Sequence, residues 1–130
     1  MFDKDEILKA RILMVDDEGT NIAVLETVLK QAKYTSISST TDSREAASLY
    51  QKLKPDLVLL DLRMPHVDGF EVIAKLQEDP VWRHIPVIVI TAKDLESGES
   101  TYLAKHVEKV VQKGGLDPSG LAQAVRDAVG

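Results

Sequence analysis

Four places in this chain put charge-handling side chains at or just past the end of an apolar, β-branched run. Asp16-Asp17-Glu18 follows Ile12-Leu13-Met14-Val15, and Asp61 follows Leu57-Val58-Leu59-Leu60. Thr91-Ala92 follows Val87-Ile88-Val89-Ile90, and Lys113 comes just past Val107 to Val111. A single Asp after a strand is commonly a turn residue or a helix cap. Asp16, Asp17 and Asp61 brought together would repel one another, and a domain gains nothing structural from that. A divalent cation in the gap reverses the balance. Mg²⁺ takes a few carboxylate oxygens and leaves positions for waters and phosphate oxygens. It lets a phosphoryl group approach a carboxylate that would otherwise repel it. Lys113 adds positive charge, Thr91 a hydroxyl donor, and the small Ala92 leaves its backbone N–H open. Nucleophile, metal and donors are the parts of a phosphoryl-transfer site.

The elements that must position these residues show in the patterning. The strong runs are continuously apolar, as in strands covered on both faces of a parallel sheet. A weaker, polar strand is expected over Tyr34 to Ser39. Helical stripes lie between: Ile22, Leu25, Val28, Leu29 and Ala32; then Ala46, Leu49, Tyr50 and Leu53; then Phe70, Ile73, Ala74 and Gln77. Asp42 and Glu45 have capping-box spacing, and Pro80 limits the third helix. A more polar fourth helix is expected over 94–105, with Gly98 as a blemish. Asp117-Pro118 opens a fifth, carrying Leu121, Ala124, Val125 and Ala128. Strand and helix alternate five times. That implies an α/β domain with a five-stranded parallel sheet, helices on both faces and right-handed crossovers. The site then lies beyond the carboxyl ends of the strands.

Composition narrows the function classes. The 130 residues fit one domain, with residues 1–10 a leader or linker and 11–130 the folded unit. No cysteine is present, which removes disulfides, thiolate zinc sites and thiol catalysis. The formal net charge of −5 argues against direct nucleic-acid binding. No apolar run approaches the ~20 residues of a membrane span. The acidic start Met1-Phe2-Asp3-Lys4-Asp5-Glu6 is unlike a signal peptide. A cytoplasmic protein with no membrane insertion is expected.

The string Asp61-Leu62-Arg63-Met64-Pro65-His66-Val67-Asp68-Gly69 closely resembles the phosphorylation loop of two-component receiver domains. Those carry Asp-x-x-Met-Pro-x-x-Asp-Gly after the third strand. The acidic pair, Thr91-Ala92 and Lys113 fall at matching places, so the resemblance covers roughly residues 10 to 130. It implies the (βα)5 doubly wound, flavodoxin-like fold of chemotaxis-type regulators, with strand order 2-1-3-4-5. It implies that Asp61 accepts a phosphoryl group from a phosphohistidine and forms an acyl phosphate. Asp17 and Asp61 would bind Mg²⁺ directly (Mn²⁺ being a substitute), with the Arg63 carbonyl as third ligand and Asp16 acting through a metal-bound water. Thr91, Ala92 and Lys113 would hold the phosphoryl group, and Thr91 would move with it. Pro65 and Gly69 would shape the loop, and Asp68 would cap the third helix. Only self-phosphorylation and slow dephosphorylation are implied, so the domain is not an enzyme acting on outside substrates. The implied partners are a sensor histidine kinase or a histidine phosphotransfer protein, and a downstream output protein or domain. The donor would dock on the first helix, where Asn21, Val24 and Thr27 are candidates, and on the loop after the fifth strand. Output contacts, including a homodimer, would use the fourth helix, fifth strand and fifth helix.

Two positions depart from the family pattern. Gly114 stands where a cis proline usually follows the lysine, and a non-proline cis bond costs about 2.5–4 kcal/mol. Val110 stands where an aromatic usually swings inward, so coupling would either rely on backbone shifts around Thr91 and the fourth helix or be weak. Tyr102 is either a substitute for that aromatic or a packing and partner-contact residue. Arg63 is a modulator of water access or simply an exposed loop residue. His66, His84 and His106 lack metal-ligand spacing and read as surface residues; Trp82 reads as packing. A flavin-binding reading fails because Asp16-Asp17-Glu18 would repel the flavin phosphate. An aspartyl-phosphate phosphatase would want a second Asp where Arg63 stands. A pseudo-receiver, binding partners without phosphorylation, is the alternative. A stand-alone regulator and a piece of a larger or hybrid protein fit the sequence equally.

Overall fold

The apolar runs become strands and the amphipathic stripes become helices. The computed structural model describes residues 8–62, 68–91, 95–112 and 118–129. The strands are β1 (Arg11–Val15), β2 (Ser36–Thr40), β3 (Leu57–Leu60), β4 (Val87–Thr91) and β5 (Lys109–Gln112). The helices that come after them are α1 (Gly19–Gln31), α2 (Ala46–Leu53), α3 (Gly69–Glu78), α4 (Ser97–His106) and α5 (Pro118–Val129). Short 3₁₀ turns at Ser43–Glu45 and Trp82–His84 precede α2 and β4.

All strand pairs are parallel, in the order β2-β1-β3-β4-β5. The expected α/β fold and strand order are therefore present. Alternate residues of the strands face opposite layers, as the pleat requires. Ile12, Met14, Leu57, Leu59, Ile88 and Ile90 pack under α1 and α5. Leu13, Val15, Val58, Leu60, Val87 and Val89 pack under α2, α3 and α4. Truncating one of these fully buried leucines to alanine costs about 2–5 kcal/mol. The register aligns Val15 with both Thr40 and Leu60, and Leu60 with Val89. The carboxyl ends of β1 to β4 therefore lie side by side.

Three local expectations shift. Tyr34 is buried but precedes β2, its N–H donating to the Leu29 carbonyl at the end of α1. Val107 belongs to the α4 terminus, its N–H donating to Leu103, so β5 begins at Lys109. Asp42 starts the 3₁₀ turn, its carboxylate accepting from Arg44 N–H at 3.0 Å. The Asp42 N–H donates to Thr40 Oγ1 at 3.0 Å, and Glu45 Oε1 accepts from the same hydroxyl at 3.2 Å. Thr40 thus stands at the centre of what the spacing presented as a capping box.

Candidate functional site

The β1 and β3 ladders continue one step past their strands. Asp61 N–H donates to the Val15 carbonyl at 3.0 Å, and Asp16 N–H donates to the Thr40 carbonyl at 3.2 Å. Backbone pairing therefore sets the two carboxylates side by side. One carboxylate oxygen from each of Asp16, Asp17 and Asp61 lies within 4.8 Å of the others, a spacing that could hold a metal ion. Asp16 and Asp61 are buried, and Asp17 is half-buried. Asp16 Oδ1 accepts from Glu18 N–H at 2.9 Å, which turns the chain towards α1 and fixes that carboxylate's aim.

Asp17 Oδ1 has no hydrogen-bond partner among the described residues although it is shut away from solvent. A buried carboxylate oxygen left unpaired costs of the order of 1–3 kcal/mol or more. The arrangement is costly alone and fits a cation that the three aspartates would coordinate.

The site is also set apart by where polarity is buried. Tyrosines aside, the buried polar side chains among the described residues are Asp16, Thr40, Ser43, Asp61 and Thr91. All five lie at the carboxyl ends of β1 to β4 or in the turn after β2. Thr91 ends β4 fully buried, on the same edge as the acids. Asp68 caps α3, accepting from Glu71 N–H at 3.0 Å, as the sequence predicts. Gly69 N–H donates to the Leu62 carbonyl at 3.0 Å. A Cβ on Gly69 would stand 2.6 Å from the Asp61 carbonyl oxygen and 2.7 Å from Leu62 Cα. This glycine is required by the close approach of α3 to the backbone of Asp61. Lys113, Ala92 and Arg63, with Pro65, His66, Gly114 and Asp117, lie outside the described residues.

Other singled-out residues find structural places. Trp82 packs on Tyr50, ring centroids 5.6 Å apart. Tyr102 lies between Phe70 of α3 and His106, at 6.0 and 4.5 Å, and His106 is a half-buried surface residue in contact with that ring. His84 is exposed, as expected. Val110 is half-buried and in register with Val89. Val24 and Thr27 are exposed on α1, and Asn21 is half-buried. Sequence reasoning missed Thr40, whose only signal was the Asp42–Glu45 spacing just after it. No helix among the described residues is long and apolar enough to cross a membrane.

A doubly wound sheet with acids at the ends of β1 and β3 and a buried threonine at the end of β4 is the arrangement that the resemblance to receiver domains implies. Residues 12–126 match the response regulator receiver domain family, and the chain belongs to it. It is 43% identical to the response regulator PleD of Caulobacter vibrioides over 80% of its own length. It spans about a quarter of that relative, 24%. The signal receiver domain of the DNA-binding response regulator merR from Colwellia psychrerythraea superposes with a TM-score of 0.83 at 26% identity. That match covers 93% of this chain and 98% of the other. The receiver domain of the sensor histidine kinase PA1611 from Pseudomonas aeruginosa shares the fold, with a TM-score of 0.81 at 22% identity, over 93% of this chain and 98% of that one. That neighbour's crystal structure has a magnesium ion in its active-site cleft.

Proposed function

We propose that this receiver domain is a phosphoacceptor in a two-component phosphorelay and that Asp61 is the residue phosphorylated. The observation that supports the reading is the buried Asp17 Oδ1, without a hydrogen-bond partner among the described residues, in a cluster of three carboxylates whose Asp61 continues the β1–β3 ladder. Asp16, Asp17 and Asp61, with the Arg63 carbonyl, would hold Mg²⁺ (or Mn²⁺). When bound there, the ion offsets the carboxylate charge and takes phosphoryl oxygens. A carboxylate oxygen of Asp61 attacks phosphorus, the new O–P bond forming as the P–N bond to a phosphohistidine breaks. The electron pair leaves on the imidazole. Thr91, Ala92 and Lys113 donate to the phosphoryl oxygens. The domain catalyses only this transfer and its slow reversal by water.

The donor is a sensor histidine kinase or histidine phosphotransfer protein, docking near the exposed Val24 and Thr27 of α1. The recipient of the signal is an output protein or domain meeting α4, β5 and α5, and all of this takes place in the cytoplasm. Val110 has no ring to swing, and Tyr102 is already packed between Phe70 and His106. Coupling therefore runs through the backbone from Thr91 to α4.

The test is incubation with acetyl phosphate and Mg²⁺, read by intact mass, beside Asp61→Asn and a metal-free control. A beryllofluoride titration covers the lability of the acyl phosphate. A metal-dependent adduct lost in Asp61→Asn is expected. No adduct and no beryllofluoride binding by folded protein would overturn the reading in favour of a pseudo-receiver.

A further inference from the structure

Thr40 links the acidic site to a strand that pairs with β1 along its length but buries little side chain. Among the described residues, strand β2 is an edge strand, hydrogen-bonded only to β1. Its sequence is Ser36-Ile37-Ser38-Ser39-Thr40, and Thr40 is its one buried residue. Edge strands with few apolar anchors are weakly held, so the end of β2 depends on the turn that leads into α2. This turn is organised around the Thr40 hydroxyl. That hydroxyl accepts from Asp42 N–H at 3.0 Å. It faces two acceptors, Glu45 Oε1 at 3.2 Å and the Asp42 carbonyl at 3.3 Å. The carbonyl of the same threonine receives the Asp16 N–H at 3.2 Å. On the other side of β1, Val15 is fixed by Asp61 N–H at 3.0 Å. The backbone of Asp16 is therefore gripped from two sides, and the β2 grip is only as firm as Thr40.

We propose that Thr40 is a positioning residue for the acidic site: its hydroxyl anchors the end of β2 so that its carbonyl holds Asp16 in place beside Asp17 and Asp61. The proposal rests on the reading of that cluster as a Mg²⁺ site. Partners bonded directly to metal ligands are typically worth ~10–100-fold in affinity. Thr40 acts through the backbone of a residue expected to reach the metal through water, so its contribution is smaller, of the order of threefold to tenfold.

The experiment is a Mg²⁺ titration of ¹⁵N-labelled wild-type, Thr40→Val, Thr40→Ser and Glu45→Ala proteins by NMR. The hydrogen-exchange rate of the Asp16 amide is read in the absence of metal. Thr40→Val keeps the shape and removes the hydroxyl. It should weaken Mg²⁺ binding about threefold to tenfold and speed exchange at Asp16 by a similar factor. Thr40→Ser should restore both. Glu45 is exposed, so Glu45→Ala tests the same anchor without touching the core, and should shift both readouts the same way by less. If Thr40→Val does not fold, a Glu45→Ala protein with wild-type affinity and wild-type exchange overturns the proposal. Wild-type Mg²⁺ affinity in folded Thr40→Val overturns it directly. A wild-type protein that binds no Mg²⁺ overturns the metal-site reading and this proposal together, and the titration tells the two failures apart.

Discussion

Gly69→Ala should damage the site without touching a charged group. The added methyl would lie 2.6 Å from the Asp61 carbonyl oxygen, 2.7 Å from Leu62 Cα and 2.9 Å from Leu62 Cδ2. Two of these are backbone atoms and cannot turn aside. The helix cannot simply retreat, because Gly69 N–H is bonded to the Leu62 carbonyl at 3.0 Å and Asp68 caps the same helix. Relief to ordinary contact distance needs a displacement of several tenths of an ångström, shared between α3 and the Asp61-Leu62 backbone. Overpacking of this kind costs about 1–3 kcal/mol. The displaced residue is the proposed nucleophile, and a misplacement approaching 1 Å can cost ~100-fold in rate. Urea unfolding should show the stability loss. Acetyl phosphate labelling followed by intact mass should show a rate reduced by about 10–100-fold. Positive φ is not the reason for this glycine, since no described glycine has one. Wild-type stability together with a wild-type rate would refute the close-approach account.

Asp17→Asn should be more stable than wild type by about 1 kcal/mol without metal, because one repulsive charge leaves the cluster. It should lose the Mg²⁺-dependent stabilisation, which for wild type reaches about 2.7 kcal/mol at 100 times Kd; calorimetry with and without Mg²⁺ checks both. Tyr50→Phe removes a buried hydroxyl with no hydrogen-bond partner among the described residues and should leave stability unchanged or raise it by up to about 1 kcal/mol; a clear loss in urea unfolding would show that the hydroxyl is held. Burial raises the Tyr50 pKa above its ordinary value of 10.0. The unfolded chain therefore releases this proton first, and stability present below pH 10 falls as pH rises beyond it. In alkaline titration followed by phenolate absorbance, Tyr34 and Tyr50 should both lag, since burial raises each, and Tyr50→Phe should remove one of the two lagging components.

The fold was legible because its strongest signals are local. Continuous apolar runs at β1, β3 and β4 are buried on both faces, and the amphipathic stripes of α1 and α3 have the helical period. The aspartates and Thr91 were legible because they sit at the ends of those runs. Less visible were the places where tertiary contacts decide. Tyr34 reads as strand but is drawn into the core by α1 and α5. Val107 reads as strand but finishes α4 because its N–H still reaches Leu103. The Asp42–Glu45 pair has the spacing of a box, yet a neighbour from β2 supplies the hydroxyl that binds both. Nothing in the polar string of β2 announces that its last residue is buried, since that depends on the register with Val15.

The division of each strand into an apolar body and a polar end bears on why the site can exist at all. A domain of this size has a net stability of about 5–15 kcal/mol. Two buried carboxylates and an orphaned carboxylate oxygen within 4.8 Å of one another consume a sizeable part of that. The fold tolerates them because their placement does not depend on attraction within the cluster. Asp16 and Asp61 are placed by main-chain bonds continuing the ladders of strands whose interior is fully apolar. The sheet thus supplies position, and the like charges are held close against their mutual repulsion. Any agent that offsets it, a divalent cation first, binds with the repulsion energy already stored in the folded chain. Substitutions in the strand bodies should therefore change stability and leave Mg²⁺ affinity alone, whereas substitutions at Thr40 or Gly69 should change both.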